Sequence, residues 1–436
     1  MKSTTRTNPT GEGRTSRESI GALADRFEAV RRATVALAEG LSAEDCVVQS
    51  MTLASPVKWH LAHTSWFFET FILENANGFE PYDPSFRVLF NSYYNTVGEQ
   101  YSRPDRGLLT RPALERVLDY RNHVESLMRS CFDDPDRART RVPLATLVEI
   151  GLQHEQQHQE LIVTDLKHLL SCNPLHPVYR DCPEPPREKT GPVRWIAYTE
   201  GARSIGHEGD GFRFDNETPR HRTFVDGFEL ASRTVTNAEY LEFVEDGGYR
   251  RPELWLADGW DVARSRGWKA PEYWIERDGR WMSFTLGGLR ELRLDEPVCH
   301  VSYYEADAFA RWSGARLPTE AEWEVASSEV EIDGNFVESG YFHPVPPSSA
   351  GAAGSSEQLL GNLWEWTASP YVPYPGYRPP EGALGEYNGK FMCNQIVLRG
   401  GSCATPRSHI RPTYRNFFYP DARWQFGGIR LARDRA

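Results

Sequence analysis

At 436 residues the chain exceeds the roughly 250–300 at which single cores split, so two domains are expected. The composition, 39% hydrophobic and 25% charged, is that of a globular protein, and a net charge of -12 argues against a nucleic-acid or anionic-membrane partner. No apolar run approaches the ~20 residues of a membrane span, and seven scattered cysteines without a CxxC pair point to reduced thiols in a cytoplasm.

Residues 1–16 are polar, lack the apolar stretch of a signal peptide and read as a disordered arm. Residues 17–175 read as a helical domain. Segment 17–40 repeats apolar residues at helical steps (Ile20, Leu23, Phe27, Val30, Ala33, Leu37) and closes at Gly40. Segment 55–76 opens on Ser55-Pro56, expected as a cap and a first-turn proline. A stretch from 77 to 110, rich in Pro, Asn and Tyr, is too long for a simple connection and is expected to be functional. Segments 111–132 and 143–171 supply the third and fourth long helices, so the expectation is a four-helix bundle.

Residues 176–192 continue a proline-rich run mixed with charges, which is linker chemistry. From 193 to 436 short apolar runs alternate with Gly, Asn and Asp. Only two short helices stand out, 236–246 and 303–313, with a turn near 319–326. This half is expected to be α+β with much irregular loop.

The chemistry concentrates in histidines. In His154-Glu-Gln-Gln-His158 the two imidazoles lie about 40° apart around a helix and can grip one metal ion. A third ligand is expected from a facing helix, and Trp59-His60-Leu-Ala-His63 offers two candidates. The same string also matches the zinc-peptidase pattern HExxH, with Glu155 as general base. The continuation from 159 to 164, Gln-Glu-Leu-Ile-Val-Thr, does not supply the extended metal motif of one large peptidase branch.

Two resemblances then become specific. Leu61-Ala62-His63 and His154-x-x-Gln157-His158 resemble the iron-binding branch of the DinB-like four-helix bundles, which hold a metal with three histidines. In the second half, four motifs resemble the formylglycine-generating-enzyme fold, which is C-type-lectin-like. They are Arg316-Leu-Pro-Thr-Glu-Ala-Glu-Trp-Glu324, Gly361-Asn-Leu-Trp-Glu-Trp366, Leu398-Arg-Gly-Gly-Ser402 and Phe426-Gly-Gly-Ile-Arg-Leu-Ala432. The pairing resembles the ergothioneine-pathway sulfoxide synthases (EgtB-type). That resemblance implies Fe(2+) on His63, His154 and His158. It also implies an O2-dependent joining of the thiol of cysteine or γ-glutamylcysteine to the imidazole of hercynine.

The resemblance further implies roles for other residues. Gln157 would contact the substrate imidazole. Arg103 and Arg106 would hold the thiol substrate's carboxylate. Asn416, Phe417 and Phe418 would line the substrate region, although better-known members carry Trp-Asp where this chain has Phe417-Phe418. An acid able to meet a γ-glutamyl amino group is therefore missing. The family's proton-donating tyrosine does not align. Tyr94, then Tyr93, are the expected replacements because they share the long loop with Arg103 and Arg106. Adjacent residues of an extended segment point to opposite sides, so only one of the pair is expected to face the metal. Tyr371, Tyr374, Tyr377 and Tyr387 follow as candidates.

Other functions are weaker. A copper-dependent formylglycine generator needs a cysteine pair that residues 405–416 lack. An ovothiol-type synthase usually carries a methyltransferase domain after the synthase part, and here Ala436 follows the last motif closely. A non-catalytic binding module leaves the three histidines unexplained.

Overall fold

A computed structural model of the chain describes residues 12–187, 190–347 and 356–435. The chain divides into two compact units, the first reaching Ile162 and the second running Val163–Ala436. Residues 1–11 of the expected arm lie outside the described residues. Residues 12–16 are already helical.

The first unit is built on helices α1 (Glu12–Ala36), α2 (Val57–Phe71), a short α3 (Phe86–Leu89), α4 (Leu114–Asp133) and the first part of α5 (Leu144–Ser171). Phe27, Phe68, Val117, Val124, Met128 and Leu152 are fully shielded in its core. α2 is buried on every side, all its residues except Phe71 being enclosed. A helix so placed can keep polar residues only if each finds a partner. Lys58 does so by donating to the Leu109 and Pro112 carbonyls at 2.6 and 2.9 Å. The expected Ser55 cap is not made. Pro56 occupies the capping position, and the Ser55 hydroxyl accepts instead from Arg106 Nη1 at 2.9 Å.

Among its described residues the second unit carries twelve short strands: β1 (Trp195–Tyr198), β2 (Gly201–Ile205), β3 (His221–Val225), β4 (Phe228–Ala231), β5 (Trp274–Arg277), β6 (Arg280–Thr285), β7 (Gly288–Glu291), β8 (Trp364–Pro370), β9 (Ile396–Arg399), β10 (Asn416–Phe418), β11 (Gly427–Gly428) and β12 (Ala432–Asp434). They form sheets ordered β1-β4-β12, β10-β9-β8-β11, β2-β3 and β5-β6-β7. Four helices accompany them: α6 (Asn237–Glu245), α7 (Ala257–Ser265), α8 (Tyr303–Trp312) and α9 (Glu320–Ser327). α7 has no counterpart among the expected elements, and the turn expected near 319–326 is the helix α9. α6, α8 and α9 each start on a capping box, Thr236/Glu239, Ser302/Glu305 and Thr319/Glu322, which satisfies orphan N–H groups reciprocally.

Three of the four motifs of this half meet at one buried carboxylate. Glu365 accepts from Trp323 Nε1 at 2.7 Å and from Arg430 Nε and Nη2 at 2.7–2.9 Å. Arg399, from the remaining motif Leu398–Ser402, is paired with Glu324. These motifs therefore encode a buried ion-pair core, and their contacts are structural.

The division between units falls inside α5, upstream of the proline-rich stretch expected as the linker. The reason is chemical. Trp424 Nε1 donates to Asp165 Oδ1 at 3.2 Å. Lys167 Nζ lies 2.7 Å from His300 Nε2, beside the rings of Tyr273 and Phe426 at 4.9 and 5.0 Å. The last turns of α5 thus belong to the second core. Among the described residues no helix is long and apolar enough to cross a membrane.

Burial pushes the Lys167 ammonium down to about 8 and holds His300 neutral. A lysine depressed in the folded state binds its proton more tightly when unfolded, so stability rises with pH between about 8 and the unfolded value. Folding of the wild type is expected to gain up to about 3 kcal/mol over this window relative to Lys167→Met, which lacks the group. Denaturant unfolding of both proteins at pH 7 to 10 measures the difference. A pH-independent difference removes the assignment.

Candidate metal centre

α2 presents His63 and α5 presents His154 and His158. The candidate ligand atoms of the three imidazoles lie within 4.8 Å of one another, and all three side chains are buried. The i,i+4 spacing puts the two α5 rings on one face, and α2 brings the third to meet them.

Hydrogen bonds decide which nitrogens converge. His63 Nδ1 lies 2.6 Å from the Phe90 carbonyl. A carbonyl can only accept, so the proton is on Nδ1 and Nε2 presents its lone pair. That Nε2 is 3.2 Å from His154 Nε2. Two lone pairs facing each other in a buried site repel, so a proton or a cation must lie between them. His158 Nδ1 is 2.7 Å from His60 Nδ1. With the shared proton on His158, its Nε2 is free to join the other two. His60 thus acts on a candidate ligand from outside the set, the arrangement common to metal-binding histidines.

The charge state fits a metal. Burial, reinforced by the neighbouring imidazoles, pushes His63 and His158 well below the ordinary histidine range. Burial also lowers His154 to about 3, against the pull of Glu155. All three are neutral, which is the form that binds metal. Glu155 does not face them as a base. Both its oxygens are held by buried guanidinia, Oε2 by Arg31 Nη1 at 3.0 Å and Oε1 by Arg121 Nη2 at 2.9 Å. The peptidase reading of His154-Glu-Gln-Gln-His158 loses its general base.

Around His63 runs a column of rings that the sequence reading did not single out. The Arg106 guanidinium lies 3.4 Å over the Trp59 ring, and Trp59 stacks on His63 at 4.6 Å and 13°. Trp66 follows on the other side at 5.4 Å and 18°, then Tyr94 at 5.5 Å and Tyr93 at 4.6 Å beyond. Trp59, His63 and Trp66 are four and three residues apart, which is one helix face and was the available signal. Their ring N–H groups all donate to α3 or the residue after it: Trp66 to the Arg87 carbonyl at 3.0 Å, Trp59 to Leu89 at 3.2 Å and His63 to Phe90. The carbonyls left open at the C-terminal end of α3 are thereby satisfied. The loop carrying the tyrosines is pinned to α2.

Tyr93 and Tyr94 do not point to opposite sides. Their rings stack at 4.6 Å and 28°. The chain turns here: Asn91 Oδ1 accepts from the Tyr94 N–H at 3.1 Å and Asn91 Nδ2 donates to the Tyr94 carbonyl at 3.1 Å. The pleat argument therefore does not apply. Tyr94 is buried and Tyr93 is half-buried.

Arg103 and Arg106 sit on a 3-10 turn, Arg103–Leu108, where residues three apart eclipse and share a side. Arg106 is buried against Trp59, and Arg103 is exposed with Nη2 on the Leu53 carbonyl. Gln157 is half-buried on α5.

Asn416, Phe417 and Phe418 belong to the second unit, on β10. Asn416 Oδ1 accepts from the Phe417 N–H, Phe417 stacks on Tyr371 at 4.0 Å, and Phe418 meets Trp424 edge-on at 5.8 Å. Tyr377 donates to Asp215 at 2.6 Å, and Tyr371 accepts from Asn216 at 2.9 Å.

Comparison with known proteins agrees with this division. Residues 26–162 match the DinB superfamily, and residues 183–435 match the sulfatase-modifying factor enzyme 1-like domain. Hercynine oxygenase of Mycobacterium tuberculosis is 31% identical, covering 94% of this chain and 98% of that protein. Hercynine oxygenase of Mycolicibacterium smegmatis is 32% identical over the same shares. Formylglycine-generating enzyme of Streptomyces coelicolor is 30% identical over 57% of this chain and 91% of its own length. With a DinB-type helical half, a sulfatase-modifying-factor half and relatives of this identity along nearly the whole sequence, the chain belongs to the hercynine oxygenase family.

Proposed function

We propose that this chain is a non-haem iron enzyme that uses dioxygen to join the thiol of cysteine or γ-glutamylcysteine to the imidazole of hercynine, giving a sulfoxide. The observation that carries the reading is the buried set of three neutral imidazoles, His63, His154 and His158, in a relative of hercynine oxygenases. Ferrous iron held by three imidazoles would supply open coordination positions for dioxygen and the thiolate.

The remaining steps fall to the chain's own groups. Arg106, with Arg103 on the same 3-10 turn, binds the thiol substrate's carboxylate, for which guanidinium forks are suited. The Gln157 amide hydrogen-bonds the substrate imidazole. In the second unit taken by itself, Phe417 and Phe418 offer aromatic faces suited to a trimethylammonium group, with the Asn416 amide beside them. Tyr94 Oη or Tyr93 Oη supplies the proton that steers sulfur to the imidazole carbon instead of to oxygen.

Purified protein loaded anaerobically is expected to hold one ferrous ion per chain. His63→Ala, His154→Ala and His158→Ala should each lose it. His60→Ala should retain it with affinity lowered about ten- to a hundredfold, the usual effect of removing a ligand's hydrogen-bond partner. Iron analysis after gel filtration reads this. Loss in His60→Ala with retention in His63→Ala contradicts the ligand set.

For the arginines, Arg103→Ala and Arg106→Ala should raise KM for the thiol substrate about ten- to a hundredfold, the effect of losing ~1.5–3 kcal/mol of charge-assisted binding. KM for hercynine should change little. An equal rise for both substrates counts against carboxylate binding.

The stacked tyrosines are tested by products. Removing the donor, by Tyr94→Phe or Tyr93→Phe, should keep oxygen consumption and raise cysteine sulfinic acid relative to sulfoxide. A barrier change of ~1.4–3 kcal/mol gives about ten- to a hundredfold in that ratio. A wild-type ratio in both variants places the donor elsewhere, with Tyr371, Tyr374, Tyr377 and Tyr387 next.

A further inference from the structure

Next to the candidate ligand His154, and about 100° around α5 from it, Glu155 is fully buried with both carboxylate oxygens bound. Arg31 reaches it from α1 and Arg121 from α4. Neither guanidinium stops there. Arg31 Nη2 donates to Ser65 Oγ on α2 at 2.7 Å, and Arg31 Nε donates to Glu125 on α4 at 3.0 Å. Arg121 Nη1 donates to the Leu61 carbonyl and to Thr64 Oγ1, both on α2, at 2.8 Å. Leu61, Thr64 and Ser65 lie within two residues of His63.

One carboxylate on α5, next in sequence to a candidate ligand but turned toward α1 and α4, is thus tied, through two buried arginines, to the turn of α2 that carries the third candidate ligand. Glu155 and the half-buried Glu125, which also meets Arg129, balance the charge of the two buried arginines. One turn further along α5, Gln159 Nε2 donates to the Val30 carbonyl and to Thr34 Oγ1 on α1, both at 3.0 Å. On the other side Gly151 leaves no room for movement: a Cβ there would lie 2.5 Å from the Phe68 ring of α2. α5 is therefore pressed against α2 and fixed in rotation by polar ties to α1 and α4.

We infer that Arg31, Glu155 and Arg121 are positioning residues that set the rotation and height of α5 against α2, so that the His154 and His158 nitrogens meet His63 Nε2 in ligand geometry. This rests on the metal reading of the preceding subsection. Shortening the carboxylate by one methylene should turn α5 and open the set, even where charge is kept. Removing its charge should release the arginines while the helix remains.

The test uses the full-length chain, freed of metal and titrated with cobalt(II), whose visible bands report ligand geometry. Glu155→Asp keeps the charge and loses reach, and Glu155→Gln keeps length and loses charge. Val117→Ala, a core deletion on α4 outside the network, controls for general destabilisation. Circular dichroism and the thermal midpoint establish that each is folded. Both Glu155 variants are expected to bind cobalt about ten- to a hundredfold more weakly and with altered bands, while Val117→Ala lowers the midpoint and leaves affinity and bands unchanged. If neither Glu155 variant folds, Arg31→Lys, which keeps one charge and loses the fork, is read by the same criteria. Wild-type affinity and bands in the folded variants, or the same loss in Val117→Ala, overturns the inference. A wild type that binds neither cobalt nor iron instead sinks the metal reading itself, so the two failures are distinct.

Discussion

Three buried imidazoles whose candidate ligand atoms lie within 4.8 Å of one another cannot share that space as cations. Each unit of charge buried without a partner costs several kcal/mol; His63 and His158 face other imidazoles and the Arg106 guanidinium, and Glu155, which pulls on His154, is already taken up by two arginines. The imidazoles must stay neutral, with lone pairs aimed at one another. That constraint organises the first unit. It requires acceptors for the other ring nitrogens, which the Phe90 carbonyl supplies to His63 and His60 to His158. It requires two helices held at fixed rotation, which the arginines around Glu155 supply. It favours a cation at the centre to relieve the lone-pair repulsion.

The same device recurs in the second unit with a different purpose. Glu365 and Arg430 are both fully buried and paired, and Arg399 meets Glu324. Breaking such a pair leaves a buried charge uncompensated, typically at a cost of about 3–5 kcal/mol. These ties explain why the motifs of this half are rich in charge yet lie inside it. Lys167 is the contrasting case, an ammonium set beside a neutral histidine and two rings. The same burial that Glu365 survives by pairing shows in Lys167 as a depressed affinity for its proton.

What was legible in the sequence follows from the range of the interactions. His154 and His158 are four residues apart, and local spacing exposed them. For the third ligand the bundle offered His60 and His63 alike, and the resemblance to the DinB-like bundles chose His63. The ring column was half visible, since Trp59, His63 and Trp66 share a face, but its continuation to Tyr94 depends on a turn that Asn91 makes. That turn also reversed the expectation for Tyr93 and Tyr94, because the pleat rule holds only for extended backbone. Arg31 and Arg121 were invisible, being 124 and 34 residues from the carboxylate they hold. The compact units part inside α5 for a related reason: prolines mark where a chain loses regular structure, whereas the cores part where Lys167 and Asp165 find partners. In α9 the capping box at Thr319 and Glu322 was a local signal of a helix, and it was read as a turn.

The account stands on three imidazole nitrogens converging on one ion. X-ray absorption at the iron edge of the ferrous protein, before substrate is added, reads the ligand atoms directly. Scattering from three imidazoles, with neither sulfur nor a carboxylate from the protein in the first sphere, is the predicted result. Two imidazoles with a protein carboxylate, or any cysteine thiolate, would contradict it.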